Sequence, residues 1–257
     1  MIEIKNIKKI FNPGEVSQIC VFNDFSLSIK DKSFVSIVGS NGSGKTSLLN
    51  IICGSIQLDK GQIIIDDKDI TNCPEYERMK NIGRVHQNPS KGTCGSMNII
   101  ENMALAENKN KAFDLTKCIN NEKRDRYRDK LKTLGLGLED KCDNMVSKLS
   151  GGQRQALSVL MATMTPIKFL ILDEHTAALD PHSADLVMDL TKKIIQENNL
   201  TALMVTHNLR YAVDYGNRLV MLHEGKVVID KENKEKEDLS IEDVLNKFTS
   251  ISIECGN

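Results

Sequence analysis

The stretch Gly39-Ser-Asn-Gly-Ser-Gly-Lys-Thr46 decides the fold, because it matches G-x-x-x-x-G-K-[ST], the phosphate-binding P-loop. An apolar run at residues 34–38 precedes it and a helical pattern at residues 45–52 follows, so the order is strand, glycine loop, helix. The backbone N–H groups of such a loop point at phosphate oxygens, and the helix N-terminus adds its positive dipole end. The alternative is a glycine-rich turn that matches the motif by chance, but such a turn need not be preceded by a strand and followed by a helix. The stretch therefore predicts that the chain binds a nucleoside triphosphate.

Two side chains of the loop have direct roles in this chemistry. Lys45 is expected to reach the β- and γ-phosphates, and the Thr46 hydroxyl is expected to bind Mg²⁺. The other loop residues are expected to surround the phosphates with their backbone; they are Gly39, Ser40, Asn41, Gly42, Ser43 and Gly44.

Composition narrows the class of protein. The 257 residues suffice for one large α/β domain or a domain with an inserted subdomain, and the net charge of −1 predicts no nucleic-acid partner. No apolar run approaches the length that spans a bilayer, and the start has no signal-peptide pattern. The seven cysteines predict free thiols and a cytoplasmic location, because they are scattered and never in C-x-x-C spacing; they are Cys20, Cys53, Cys73, Cys94, Cys118, Cys142 and Cys255.

The chain changes character twice along its length. Residues 1–38 predict short strands at 2–4, 18–22, 26–29 and 34–38. From about residue 88 to 165 the buried strand patterns vanish, and helical patterns occupy residues 97–107, 121–134 and 153–164. The α/β pattern then resumes with strands at 169–172 and 201–205. We therefore predict a helical subdomain inserted into an α/β core.

Two acidic residues close a buried strand in the second half of the chain. The run Phe169-Leu-Ile-Leu-Asp-Glu174 brings Asp173 to the carboxyl edge of the sheet, beside the P-loop, where it is expected to hold Mg²⁺. Glu174 is placed to polarise an attacking water. Acidic turn residues without a catalytic role are the alternative, and the P-loop upstream weighs against it.

Two further polar residues follow predicted strands. His207 comes just after the strand at 201–205 and could contact the γ-phosphate or orient the water, although a lone histidine more often caps or fills a core. Gln87 follows the strand at 82–85 and could reach Mg²⁺ or the water through its amide oxygen, although a lone glutamine has almost no predictive value.

The stretch Leu149-Ser-Gly-Gly-Gln153 predicts a second anion-binding helix start. Ser150 is a natural N-cap, the two glycines free the backbone, and a long helix follows. An ordinary capped helix is the alternative, since the chain already has one phosphate loop.

Taken together, these motifs resemble those of ATP-binding cassette (ABC) ATPases over residues 1–230. The P-loop corresponds to Walker A, residues 169–174 to Walker B with its catalytic glutamate, and residues 149–153 to the LSGGQ signature. Gln87 resembles the Q-loop glutamine, Ala178-Leu-Asp180 the D-loop and His207 the switch histidine.

The resemblance implies an α/β fold with a P-loop NTPase core, an N-terminal antiparallel β subdomain and an inserted α-helical subdomain, followed by a C-terminal helical tail at 231–257. It implies ATP and Mg²⁺ as ligands, with Thr46, Gln87 and Asp173 around the metal. Glu174 and His207 are then the catalytic residues.

The resemblance also implies partners. Two copies would pair head to tail, so that the signature residues and Asp180 face the ATP bound by the partner copy; the signature residues are Ser150, Gly151, Gly152 and Gln153. Transmembrane permease subunits would dock at the Q-loop and the helical subdomain, holding the chain at the inner face of the membrane.

Three positions depart from the family pattern. His175 stands where proline is usual after Walker B, and His86 stands where phenylalanine often precedes the Q-loop glutamine. The aromatic that stacks on the base is usually tyrosine; here Phe11 is the first candidate and Phe22 its rival. None of these changes removes a reacting group, so the resemblance implies an active ATPase.

Residues 92–97 and 173–180 resemble a bacterial subgroup of uptake systems that use a solute-binding lipoprotein, some of them for aromatic amino acids. An importer subunit is therefore the leading hypothesis. The alternative is the ATPase of an exporter or a lipoprotein-release system. A soluble ABC ATPase acting on ribosomes or DNA is less favoured, because the chain has one cassette and no heptad run.

Overall fold

The computed structural model describes residues 1–112 and 117–254, without the side chains of residues 251–254. Its strands form two sheets, one of four strands and one of six. No helix within these residues is long and apolar enough to cross a membrane. The six described cysteines are free thiols, and Cys255 lies outside the described residues.

The four-stranded sheet is antiparallel, in the order β2-β1-β4-β5. Its strands are β1 (Ile2–Phe11), β2 (Ile19–Ile29), β4 (Lys60–Ile65) and β5 (Lys68–Asp69).

The separate strands predicted at 18–22 and 26–29 are one continuous strand, β2. Asp24 and Asn6 both lie in the left-handed region, at φ 63° and φ 48°, and the Asn6 side-chain amide donates to the Asp24 carboxylate at 2.7 Å. The pairing register of β1 and β2 shifts in this region. The polar residues that interrupt the apolar pattern therefore make a bulge, which the strand passes through without ending.

The six-stranded sheet places the predicted P-loop strand at its centre, in the order β10-β9-β3-β8-β7-β6. All neighbours are parallel except β9 and β10. The strands are β3 (Phe34–Gly39), β6 (Ile82–Val85), β7 (Phe169–Asp173), β8 (Thr201–Val205), β9 (Arg218–His223) and β10 (Lys226–Glu232). Because β3, β6, β7 and β8 are parallel, the segments that follow them meet at one edge.

Helices pack against this sheet, and the longest is α6 (Pro181–Glu197). The others outside the stretch between β6 and β7 are α1 (Lys45–Cys53), α2 (Glu75–Arg78), α7 (Leu209–Asp214), α8 (Lys234–Glu237) and α9 (Ile241–Glu254). Val244 of α9 is fully buried against Ala212 of α7 and its neighbours, so the C-terminal helix is docked on the core.

Between β6 and β7 the described residues form helices, apart from one isolated bridge between Asn98 and Met145. They are α3 (Ile99–Glu107), α4 (Asn121–Lys132) and α5 (Gly151–Ala162), with short 3-10 turns at Pro89–Lys91 and Val146–Lys148. These helices bury a separate apolar cluster around Tyr127, Leu131 and Leu157. The helical content agrees with the predicted insertion, while the boundaries at 88 and 165 stay a prediction.

Candidate functional site

A cleft of about 460 Å³ opens at the carboxyl edge of β3, β7 and β8. It brings together residues from the P-loop, from the segment after β7, from the segment after β8 and from the antiparallel sheet. The lining residues are Phe11, Ile19, Val21, Asn41, Gly42, Gly44, Lys45, Thr46, Ser47, Glu174 and His207. Residues far apart in the sequence therefore converge here, as the parallel strand order requires.

The floor of the cleft is the start of α1. Gly44 is its N-cap, in the left-handed region at φ 100°, and no side chain caps the helix. A Cβ at this position would lie 2.8 Å from Phe22 Cζ, so both the backbone conformation and the close packing favour glycine. Because N–H groups of the first turn have no acceptor within a helix, this end suits an anion.

Lys45 is held inside the loop that it follows. Its Nζ donates to the carbonyl oxygens of Gly39 and Ser40, both at 2.8 Å, and the residue is 5% exposed. Burial lowers the pKa of Lys45, while the negative charge of Glu174 acts in the opposite direction. The ammonium group is thus held inside the loop by the loop's own carbonyl oxygens.

Glu174 and His207 form a pair at the edge of the cleft. His207 Nε2 lies 2.7 Å from Glu174 Oε1. The Glu174 backbone is in the left-handed region at φ 48°, and its N–H donates to the carbonyl of Val205 at 2.9 Å. This bond ties the residue after β7 to the end of β8. The imidazole is therefore able to hold the carboxylate in one orientation.

Asp173, the last residue of β7, binds Arg84 of β6. Arg84 Nη2 donates to Asp173 Oδ2 at 2.9 Å, and both side chains are almost buried. Thr46 is exposed and lines the cleft. Within the described residues no group of three or more His, Cys, Asp or Glu side chains could hold a metal. Asp173 is not among the residues that line the cleft. Mg²⁺ commonly binds through few protein ligands, water and substrate phosphates.

The two aromatic candidates for the base are now distinguishable. Phe11 lines the cleft, with Lys9 Nζ 5.4 Å from the centre of its ring. Phe22 is fully buried beneath Gly44 and has no face available for a base. Gln87 is exposed just after β6 and is not among the residues that line the cleft.

The signature residues lie outside the cleft, at the start of α5. Ser150 is the N-cap: its hydroxyl accepts from the Gln153 N–H at 3.2 Å, and the Gln153 side chain accepts from the Ser150 N–H at 3.3 Å. Gln153 Nε2 also donates to the carbonyl of Leu136 at 3.3 Å. The Gln153 side chain therefore binds its own chain, which is the ordinary capped helix considered as the alternative.

The signature glycines pack against the segment that contains Asp180. A Cβ at Gly152 would lie 3.0 Å from Ser183 Cβ, and one at Gly151 would lie 3.2 Å from Leu179 Cδ2. Asp180 is itself the N-cap of α6 and accepts from the Ser183 N–H at 3.0 Å. The start of α5 and the start of α6 are therefore in direct contact within one chain.

The two histidines that depart from the family pattern have structural contacts. His175 is buried, and its Nε2 lies 3.4 Å from the Thr191 hydroxyl of α6. Burial lowers the pKa of His175 from 6.5 to about 4, so the ring is neutral near pH 7. The carbonyl of His86 accepts from Gln155 Nε2 of α5 at 3.1 Å, which joins the segment after β6 to the signature helix.

Sequence reasoning missed four residues at the site. Ile19, Val21 and Ser47 line the cleft. Arg84 binds the predicted metal ligand Asp173. A signal for Arg84 was present, because a charged residue stands inside an otherwise apolar strand that is buried in a parallel sheet.

Comparison with known proteins identifies relatives along the whole chain. A family model described as "ABC transporter" matches residues 22–177. The tyrosine transport ATP-binding protein of Clostridioides difficile (strain R20291) is 50% identical over 250 residues, which cover 96% of this chain and 98% of that protein. Methionine import ATP-binding protein MetN 1 of Bacillus thuringiensis subsp. konkukian (strain 97-27) is 34% identical over 231 residues, covering 89% of this chain and 65% of that protein.

Solved structures have the same fold. The dimeric structure of MJ0796, a bacterial ABC transporter cassette, matches with a TM-score of 0.76 at 30% identity, covering 90% of this chain and 98% of that one. MJ0796 also matches as a post-hydrolysis dimer bound to ADP and Pi, with the same TM-score, identity and coverage. The ADP conformation of the cassette MJ1267 gives a TM-score of 0.80 at 25% identity, covering 100% and 99%. The predicted fold is confirmed, and the chain belongs to the ABC transporter family as one of its ATP-hydrolysing cassettes.

Proposed function

We propose that the chain is the ATPase subunit of a bacterial importer for an amino acid, with an aromatic amino acid as the first candidate. The observation that supports this most directly is the 50% identity to a tyrosine transport ATP-binding protein over nearly the full length of both chains. The MetN relative, named for methionine import, supports an amino acid more broadly. A permease would carry the substrate across the membrane, and a solute-binding lipoprotein would deliver it.

When bound, Mg²⁺ would neutralise charge on the phosphates. Thr46 and Asp173 would hold it, and Gln87, just after β6, would be a further ligand. Lys45 holds the β- and γ-phosphates, and Phe11 stacks on the base. Glu174 orients and deprotonates the attacking water, because its carboxylate lines the cleft and is held by His207 at 2.7 Å. His207 is thus placed to keep the base in one position.

We further propose that two copies pair head to tail and share each ATP. The support is that, among the described residues, the start of α1 lies in the cleft, whereas the signature residues at the start of α5 do not line it. Ser150 and Gly151 are exposed, so both are accessible to a second copy. The dimer of MJ0796 is consistent with this pairing.

Mixing two inactive variants tests the shared site. Lys45→Ala inactivates the P-loop side and Ser150→Arg the signature side, so each homodimer is expected to be inactive. In an equal mixture, half of the dimers are mixed and one of their two sites is intact, so roughly a quarter of wild-type ATPase activity is expected. If each chain worked alone, mixing would restore nothing.

Uptake of radiolabelled tyrosine tests the transport assignment. Deletion of the gene is expected to reduce uptake, and the wild-type gene is expected to restore it, whereas Lys45→Ala is not. The exposed Lys60→Ala variant is the matched control and should restore uptake fully. An increase of cell-associated tyrosine in the deletion strain would indicate export, and unchanged uptake with this and other amino acids would contradict the importer assignment.

A further inference from the structure

Arg84 is an unusual residue for its position. It lies in β6, where the other three residues are buried, and its side chain is 11% exposed. Arginine is rarely buried unless it is paired, because removing its charge from water is costly. Its presence in a short strand at the edge of the nucleotide site therefore calls for a partner.

The partner is Asp173, and the contact uses only one carboxylate oxygen. Arg84 Nη2 donates to Oδ2 at 2.9 Å, and within the described residues Oδ1 has no hydrogen bond. Arginine often binds a carboxylate through two parallel bonds, which would occupy both oxygens. Here the single bond fixes the direction of the carboxylate and leaves its second oxygen available.

Among the described residues, Asp173 is the carboxylate that forms an ion pair with Arg84. Cys53 also lies beside Arg84, whose charge and side-chain hydrogen bond act on its thiol, while burial raises the pKa of that thiol to about 11. The thiol is therefore neutral near pH 7 and does not compete with Asp173 as an anion. The Arg84 Nε is buried and has no hydrogen-bond partner within the described residues. Arg84 therefore binds Asp173 through Nη2 while its Nε–H has no hydrogen bond in the part of the chain that the structure describes.

We propose that Arg84 is a positioning residue for the metal site, which fixes Asp173 through Oδ2 and presents Oδ1 to the Mg²⁺ that accompanies ATP. This inference rests on the proposed role of Asp173 as a metal ligand. Groups that hydrogen-bond to a metal ligand from behind set its direction, and their loss typically weakens metal binding by about 10- to 100-fold. The opposite possibility is that Arg84 competes with the metal for the carboxylate, and it predicts tighter metal binding once Arg84 is removed.

The test is a Mn²⁺ titration followed by electron paramagnetic resonance, on protein saturated with the non-hydrolysable analogue AMP-PNP. Arg84→Gln is expected to weaken Mn²⁺ binding by about 10-fold or more, and Arg84→Lys by less, because lysine keeps the charge but loses the fixed planar geometry. Binding of AMP-PNP without metal should be unchanged in both variants. Unchanged or tighter Mn²⁺ binding in Arg84→Gln would overturn the inference.

A double substitution separates this inference from the proposed function. Asp173→Asn should weaken Mn²⁺ binding, and adding Arg84→Gln to it should cause little further loss, because Arg84 acts through Asp173. If Asp173→Asn leaves Mn²⁺ binding unchanged, the metal-ligand role of Asp173 fails. If Asp173→Asn weakens binding but Arg84→Gln does not, only the positioning role fails.

Arg218→Gln is the matched control for the loss of an arginine–aspartate pair. Arg218 binds Asp230 through Nε and Nη2, both at 2.7 Å, and neither residue lines the nucleotide cleft. This variant should leave Mn²⁺ binding unchanged, even if its thermal stability falls. Circular dichroism checks that each variant is folded. If Arg84→Gln does not fold, the comparison of Arg84→Lys with the wild type decides the test.

Discussion

The starts of α1 and α5 are both glycine-rich, but α1 has no side-chain cap, whereas Ser150 caps α5. Both helices begin at a glycine-rich segment and present an N-terminus that suits an anion. At α1 the N-cap is Gly44, which has no side chain to offer, and Lys45, Glu174 and His207 of the same chain surround the opening. At α5 the N-cap Ser150 already satisfies an N–H of its own helix, and the described residues of this helix start do not line the cleft.

The difference indicates where each helix obtains its specificity. The α1 end is preorganised by its own chain and leaves the N–H groups of its first turn without a side-chain cap, so they are available to a ligand. The α5 end is stable by itself and offers a serine hydroxyl and glycine backbone to a second molecule. The first end therefore fits the role of the principal nucleotide site, and the second fits the role of a contact added by a partner.

Lys45→Ala should show the largest effect on nucleotide affinity. It removes charge-assisted hydrogen bonds to two phosphates, each worth about 1.5–3 kcal/mol, so ATP affinity should fall by roughly 100-fold or more. Equilibrium binding of a fluorescent ATP analogue measures this, with Lys60→Ala as the exposed control. Normal affinity in Lys45→Ala would remove the α1 end from the nucleotide site.

Glu174→Gln should separate binding from chemistry. The amide cannot act as a base, so hydrolysis should fall by about 10²- to 10⁴-fold while ATP affinity is retained. Because ATP then persists, size-exclusion chromatography with ATP should show a dimer, in which the α5 end of each copy meets the α1 end of the other. Glu224→Gln, also at a positive φ but outside the cleft, is the control. Persistent hydrolysis with only monomers would contradict the role of Glu174.

His175 links the two regions, because it follows Glu174 and contacts Thr191 of α6, the helix that packs on Gly152. Its folded pKa of about 4 lies below the ordinary 6.5, so the unfolded chain binds the proton more readily. The stability that the neutral ring contributes is complete above pH 6.5 and is lost as the pH falls towards 4, by up to about 3 kcal/mol.

Urea unfolding of the wild type and of His175→Gln between pH 7 and pH 4 measures this contribution. The stability difference between the two proteins should shrink as the pH falls, because the wild type alone must protonate this buried ring on unfolding. The exposed His182→Gln variant should run parallel to the wild type. A constant difference between the wild type and His175→Gln across this range would show that the ring titrates normally.

Ser150→Ala should show the smallest effect. It removes the N-cap of α5, which costs about 1 kcal/mol of stability, and it should leave nucleotide binding to isolated monomers unchanged. Urea unfolding and monomer binding measure the two quantities. A large loss of monomer affinity would place Ser150 inside the same cleft as Lys45 and would remove the distinction between the two helix starts.

Much of this arrangement follows from sequence patterns, because apolar runs identify buried strands and parallel strands end at a common edge. That rule was sufficient to bring Glu174 and His207 to the P-loop. Strand order was not available from the pattern, so the contact between Arg84 and Asp173, which depends on β6 lying beside β7, was missed.

The uncapped start of α1 has a consequence for the lifetime of the protein. A ligand that binds only the folded chain stabilises it, by about 2.7 kcal/mol when its concentration is a hundred times its dissociation constant. A nucleotide bound at Gly44 would accept hydrogen bonds from the first turn of α1, as a capping side chain does in other helices. The resistance of the chain to unfolding and to proteases should therefore follow the ATP level of the cell.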